Sequence, residues 1–284
     1  MRVPRTALLV FFGLLVGIAG TPAGAQISFT EHTLGGDPAG MYYRVGGSGP
    51  PLLLVHGFGV SGKEWDRFAD DFASEFTVII PDLPGHGESL RPLEPWDYEA
   101  VVSLLGKMLD ELEVESAYAI GHSAGSTSIL RMAISDLDRL RGMVLVGQTH
   151  RVPLATREAI RAYPDFSDLT GEDQELFASF HRNGPQQFSD LITQFRGLAD
   201  DFVAYDLTPE HLSKVTIPTM VVMGDKDPFY PMDFVTEFYL ALPNSALWVV
   251  PGQGHFPVWP EFGGDEKAAE DFPDRVRAFL SASG

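Results

Sequence analysis

The sequence predicts an α/β fold: a mostly parallel sheet flanked by helices, with a helical cap inserted late in the chain. Three observations carry this. Short apolar runs such as PLLLVH, FTVIIP, AYAIG, GMVLVG and IPTMVVMG recur along the chain, and such runs form strands buried on both faces of a parallel sheet. Stretches with apolar residues at helical spacing lie between them, and alternation of the two implies helices on both sheet faces. From Gln148 to about Ile217 the alternation stops, leaving helical patterns without a convincing strand.

Taken in order, ISFTEHTL and GMYYRVGG alternate polar and apolar residues and read as an antiparallel start joined through GGDPAG. PLLLVH follows the turn GGSGPP as the first buried strand. SGKEWDRFADDFAS is helical, with Trp65, Phe68 and Phe72 on one face. FTVIIP is a second buried strand, ending at the turn-rich DLPGHGES. Asp97 to Leu112 is an amphipathic helix carrying Val101, Leu104, Leu105, Met108 and Leu112. AYAIG is the next strand, and SAGSTSILRMAI the helix directly behind it. GMVLVG, IPTMVVMG and SALWVVPG complete the sheet. The interrupting segment contains LATREAIRAY, GEDQELFASFHR, PQQFSDLITQFRGLA and PEHLSK, the last with Thr208 and Pro209 as a capped start. Its many phenylalanines (Phe166, Phe177, Phe180, Phe188, Phe195, Phe202) mark it as an aromatic cap over residues 148–216, set into a core domain of residues 26–147 and 217–284.

The first residues read differently. Arg2 and Arg5 precede an unbroken apolar or glycine run from Ala7 to Ile18, and Ala23-Gly24-Ala25 is a small-x-small cleavage site. That is the layout of a secretory signal peptide. The run falls short of the roughly 20 residues needed to cross a bilayer, which argues against a stable membrane anchor. Cleavage after Ala25 would leave 259 residues, destined for the periplasm or the exterior. The chain has no cysteine, so thiolate metal sites, lipidated cysteines and disulfides are excluded, and its core must hold it unaided. Without the leader, 39 acidic residues face 18 basic ones, a charge that repels nucleic acid and anionic lipid.

The chemistry gathers around GHSAG, residues 121–125, which matches Gly-x-Ser-x-Gly after a strand and before a helix. In that arrangement the serine sits on a strained turn and the glycines admit close backbone approach. A serine hydroxyl needs a positioned base, itself oriented by a carboxylate. His122 is adjacent to Ser123, but consecutive side chains across such a turn diverge. His255, in the loop beyond the last strand, is the better base, because sites assemble at the carboxyl ends of parallel strands. The loop after IPTMVVMG supplies Asp225 and Asp227, and Asp227 is preferred as reaching further under the imidazole. Oxyanion donors are expected from the N–H groups of Ala124, after the nucleophile, and of Phe58, in the loop after the first buried strand.

GFGVSG after His56 also matches Gly-x-Gly-x-x-Gly, with Asp82 at the end of the following strand, which is the dinucleotide-binding pattern. Asp82, however, leads into a turn, LPGHG, that accounts for the acid as well. A nucleotide-dependent oxidoreductase therefore stands as a competing class.

LLLVHGFG, IIPDLPGHGES, GHSAGS, GDKDPF and GQGHF together resemble the successive landmarks of the α/β-hydrolase superfamily, from about Gly40 to the end of the chain. The resemblance implies Ser123 as nucleophile, Asp227 as acid, His255 as base, and Phe58 and Ala124 as oxyanion donors, with no metal or organic cofactor. A serine where the dehalogenase and epoxide hydrolase branches place an aspartate points away from those activities. Ser126 departs from the glycine often found there, and EFGGDEKAAED, residues 261–271, looks long for the family. The expected activity is hydrolysis of a small-molecule carboxylic ester or lactone, apolar or aromatic in part. Carbon–carbon or amide hydrolysis, acyl transfer, and ligand binding without catalysis are the alternatives, and oligomeric state is left open.

Overall fold

The computed structural model describes residues 27–37, 40–200 and 206–282. The leader read over residues 1–25 lies outside the described residues. Eight strands form one sheet. They are β1 (Phe29–Thr33), β2 (Tyr42–Gly47), β3 (Pro51–Val55), β4 (Thr77–Pro81), β5 (Ala117–His122), β6 (Leu140–Val146), β7 (Thr219–Gly224) and β8 (Ser245–Val250). Their order is β1-β2-β4-β3-β5-β6-β7-β8. β2 is antiparallel to β1 and β4, and every other pairing is parallel.

The apolar runs are strands because both faces of each are covered. In β3, Leu53 and Val55 enter one core, while Leu52 and Leu54 enter the other. The first core is closed by α2 (Tyr98–Glu111), α3 (Ala124–Ser135) and α8 (Met232–Ala241). The second is closed by α1 (Asp66–Ala73) and α9 (Glu266–Ser281), whose Phe72 and Phe272 are fully buried. Each such side chain contributes about 1.5–3 kcal/mol of hydrophobic stabilisation. Polar caps mark the helix starts: the Asp97 carboxylate accepts from Glu99 N–H at 2.9 Å, and Asp265 from Ala268 N–H at 2.7 Å.

Between β6 and β7 the chain forms α4 (Leu154–Arg161), α5 (Gly171–Ser179), α6 (Pro185–Leu198) and α7 (Pro209–Leu212), with no strand among the described residues. α4 and α5 pack on α6, and α6 lies over the loops at the carboxyl ends of the parallel strands. Gln187 of α6 donates to the carbonyls of Gly85 (2.9 Å) and Gly87 (3.0 Å). Thr208 caps α7 in a reciprocal box, with His211 in the position usually held by Glu or Gln.

The long segment after His255 has a packing role. A single 3-10 turn, Pro260–Phe262, buries Phe262 against Phe256 (centroids 4.4 Å) and Phe180 (5.8 Å). The remainder is the capped start of α9, where Glu266 pairs with Arg67 of α1. Among the described residues, no helix is long and apolar enough to cross a membrane.

Candidate active site

Four loops at the carboxyl ends of β3, β5, β7 and β8 meet over one cavity of about 110 Å³. Ser123 stands between β5 and α3 with φ 50° and ψ −112°. A non-glycine residue held there stores roughly 1–3 kcal/mol of strain, which the surrounding packing must hold. The flanking glycines make the turn sterically possible. A Cβ on Gly121 would lie 2.5 Å from Ser126 N, and one on Gly125 would lie 2.1 Å from Val55 O. Ser126, the departure noted in the sequence, is small enough for this packing. Its hydroxyl bridges β5 and β6, donating to Gly121 O (2.6 Å) and accepting Val146 N–H (3.0 Å).

Asp227 and His255 are brought together from positions 28 residues apart, with Oδ2 2.8 Å from Nδ1. The other carboxylate oxygen accepts the N–H groups of Phe229 (2.8 Å) and Tyr230 (3.3 Å), which fixes the plane of the carboxyl. Facing a carboxylate, Nδ1 carries the proton, and the Nε2 lone pair is left for the cavity. Both Ser123 and His255 line that cavity. Among the described residues, neither the Ser123 hydroxyl nor His255 Nε2 makes a hydrogen bond, with each other or with any other group. Asp225 is engaged elsewhere, accepting from Gly252 N–H in the turn beyond β8.

The Phe58 and Ala124 N–H groups likewise have no hydrogen-bond partner among the described residues, and both residues line the cavity. Unpaired N–H groups are uncommon where water is excluded. Ala124 N–H is free because it opens α3. The direction of Phe58 N–H follows from the preceding peptide. Gly57 O is held by His56 Nδ1 at 2.7 Å, while His56 Nε2 accepts from Leu83 N–H at 2.8 Å. A planar trans peptide points the next N–H the opposite way.

Asp82, the acid of the dinucleotide pattern, is buried and staples two loops. It accepts Gly62 N–H and Glu88 N–H, each at 2.7 Å, and burial pushes its carboxyl above the usual range. Two further histidines surround the Phe58 loop. His181, between α5 and α6, donates from Nε2 to Gly59 O (3.1 Å) and accepts Gly87 N–H at Nδ1 (3.1 Å). His86 packs edge-on against Phe58 with centroids 4.7 Å apart. Burial lowers His86 well below the ordinary histidine value and brings His181 down to about 4.

One buried acid escaped the sequence reading. Glu64 is 2% exposed and lies 2.6 Å from His122 Nδ1, while His122 Nε2 lies 3.1 Å from His255 O. The signal was present, since Glu64, Phe68 and Phe72 fall on one stripe at four-residue spacing, and a charge on an apolar stripe asks for a partner. His122 is thus turned away from Ser123 into the protein.

The rest of the cavity is mostly apolar and aromatic, with Thr127, Thr156 and the ring of His122 as further polar lining. Phe177, Phe188 and Phe195 line it from α5 and α6, and Phe229 and Phe256 from the core loops. Among the described residues, no Lys, Arg, Asp or Glu lines it. Its buried phenols stay protonated, burial pushing Tyr98 and Tyr163 each up to about 12.

A family model described as the alpha/beta hydrolase family matches residues 52–270. The chain belongs to that family. A pimeloyl-[acyl-carrier protein] methyl ester esterase of Legionella pneumophila is 24% identical over 233 residues, covering 74% of this chain and 90% of the esterase. Among solved structures, a carboxylesterase from Bacillus subtilis superposes with TM-score 0.69 at 16% identity, over 89% of this hydrolase-family chain and 91% of the other. An enol-lactonase from Burkholderia xenovorans does so with TM-score 0.67 at 18% identity, over 85% and 96%. At these identities the structural likeness establishes the fold and leaves the bond cleaved to the chemistry of the site.

Proposed function

We propose that this alpha/beta hydrolase is an exported serine hydrolase that cleaves carboxylic esters or lactones through an acyl-enzyme. The observation that carries this reading is the 2.8 Å contact between Asp227 and His255 Nδ1, which leaves Nε2 a free base on the cavity that Ser123 lines. Ser123 Oγ attacks the ester carbonyl as His255 Nε2 takes its proton, and Asp227 stabilises the imidazolium. The carbonyl oxygen becomes an oxyanion facing Phe58 N–H and Ala124 N–H. Collapse expels the alcohol, which receives the proton from His255. Water, deprotonated by the same nitrogen, then attacks the acyl-enzyme; collapse breaks the bond to Ser123 Oγ, which takes the proton back from His255 as the acid leaves.

The lining narrows the substrate class. With no Lys, Arg, Asp or Glu among the described lining residues to pair a substrate carboxylate or ammonium, an uncharged molecule is favoured, since an unpaired charge would lose its hydration there. An apolar cavity of roughly 150 Å³ holds one benzene. The present 110 Å³ is smaller and fits a short acyl group.

Hydrolysis of p-nitrophenyl butyrate by the purified protein, and its loss in Ser123→Ala, tests the reading. A Ser123→Ala protein with undiminished turnover would overturn it, and a panel of lactones, amides and carbon–carbon substrates assigns the bond. Export rests on Arg2, Arg5, the run Ala7 to Ile18 and the Ala23-Gly24-Ala25 site. Amino-terminal sequencing of the exported protein should begin at Gln26, and retention of Met1 would refute cleavage.

A further inference from the structure

Glu64 and His122 are the feature of the site that the proposed mechanism does not use. Glu64 is 2% exposed and His122 fully buried, the His122 ring standing at the cavity wall 5.0 Å from the ring of His255. Burying a carboxylate is unfavourable unless something compensates it. Among the described residues, the basic side chain within ion-pair distance of Glu64 is His122 alone.

The contacts form a chain. Glu64 Oε2 accepts Gly57 N–H at 2.9 Å, and Oε1 lies 2.6 Å from His122 Nδ1. Oε1 sits off the line of the ring N–H, so the contact is close without being an aligned hydrogen bond. His122 Nε2 donates to His255 O at 3.1 Å. The Glu64 carbonyl accepts Trp259 Nε1–H at 2.9 Å, tying the turn to the segment after His255. Gly57, His122 and His255 are respectively the residue before Phe58, the residue before Ser123, and the base itself.

We propose that Glu64 and His122 are a buried positioning pair that locks the oxyanion loop, the nucleophile turn and the base loop into one register. The proposal rests on the serine-hydrolase reading above. The proton count supports it. A carbonyl only accepts, so Nε2 must carry a proton to hold His255. Two bare lone pairs cannot meet at 2.6 Å, so one of Nδ1 and Oε1 carries a second proton. Either arrangement preserves the donor to His255 and the acceptor for Gly57. Asp227 grips the imidazole of His255, and the Glu64–His122 pair grips its backbone. The glycine at position 57 leaves room for this, since a Cβ there would lie 2.8 Å from His122 Nδ1.

Glu64→Leu removes both oxygens without leaving a buried charge. Displacement of catalytic groups by about 1 Å costs on the order of 10²-fold. Glu64→Leu should therefore lower kcat for p-nitrophenyl butyrate by about 10- to 100-fold, with KM nearly unchanged because the cavity wall is intact. Glu64→Gln should recover most of that loss. Its amide oxygen can accept Gly57 N–H while its NH2 faces Nδ1, leaving Nε2–H on His255. Fluorophosphonate labelling of Ser123 should slow in parallel with kcat. In the wild-type protein, NMR of ¹⁵N-labelled histidine should show His122 Nε2 carrying a slowly exchanging proton. A folded Glu64→Leu protein with wild-type kcat, a loss borne by KM, or Glu64→Gln no better than Glu64→Leu would each overturn the proposal. So would an unprotonated Nε2, a result that does not depend on any variant folding. Ser123→Ala separates the two readings: full activity there removes the triad itself, whereas its loss beside an unaffected Glu64→Leu removes only the positioning pair.

Discussion

Replacing Asp227 by asparagine reverses the histidine tautomer, and the structure dictates which way the amide turns. Asp227 Oδ1 accepts the N–H groups of Phe229 and Tyr230, at 2.8 and 3.3 Å. In Asp227→Asn the amide oxygen must occupy that place, because an NH2 there would face two donors. The NH2 then faces His255 Nδ1, which must accept. The imidazole proton moves to Nε2, and the base toward Ser123 becomes a donor. A triad with its histidine in the wrong tautomer loses about 10⁴-fold in kcat. That corresponds to about 5.5 kcal/mol of transition-state stabilisation. Packing is unchanged, so melting temperature and KM should shift little. Steady-state hydrolysis of p-nitrophenyl butyrate by Asp227→Asn and Asp225→Asn, with circular dichroism on both, makes the measurement. Asp225 accepts from Gly252 N–H in a turn, and asparagine can still accept there, so that variant should remain active. An Asp227→Asn protein within tenfold of wild type, or Asp225→Asn carrying the larger loss, would refute the reasoning.

Other outcomes follow from the same geometry. His181 is held neutral, brought down to about 4 mainly by burial, against about 6.5 in an unfolded chain. Below about 6.5 the unfolded chain takes up a proton that the folded one refuses, so stability falls as pH drops toward about 4 and then levels off. His181 accounts for about 3 kcal/mol of that slope. His56 and His86, lowered by burial in the same way, add to it. Melting temperatures from pH 7 to 4 should decline less steeply in His181→Gln, whose amide can both donate to Gly59 O and accept Gly87 N–H; an unchanged slope would exclude His181 as a contributor. Gly125→Ala forces a Cβ to 2.1 Å from Val55 O and should cost about 4 kcal/mol or more, read as insolubility or a large drop in melting temperature. Phe195→Ala removes a cavity-lining ring packed on Phe58 at 5.3 Å. It should raise kcat/KM for p-nitrophenyl octanoate over the butyrate by about tenfold, the low end of what a methylene contact is worth; an unchanged ratio would show that Phe195 does not bound the acyl group.

Much of this protein was legible in one dimension. All eight strands, the antiparallel start and the helices between β6 and β7 follow from apolar periodicity and turn residues, because burial of a face imposes a repeat of two or 3.6 on the chain. The elbow at Ser123 was equally legible as a pattern, although only the need for glycine at 121 is local, against Ser126, while that at 125 comes from the backbone of Val55 on β3. Non-local pairings were not. The placement of β4 between β2 and β3 has no sequence mark, because any buried parallel strand offers the same edge to its neighbours. Between Asp225 and Asp227 the sequence offered only loop reach as a ground for preferring Asp227, and the distinction rests on where the loop carries each carboxylate: one to a turn amide, the other to His255. Glu64 looked like one more acid in an acidic chain. Only the tertiary fold sets it against His122 and Gly57, because a charge acquires its meaning from the groups that replace its water.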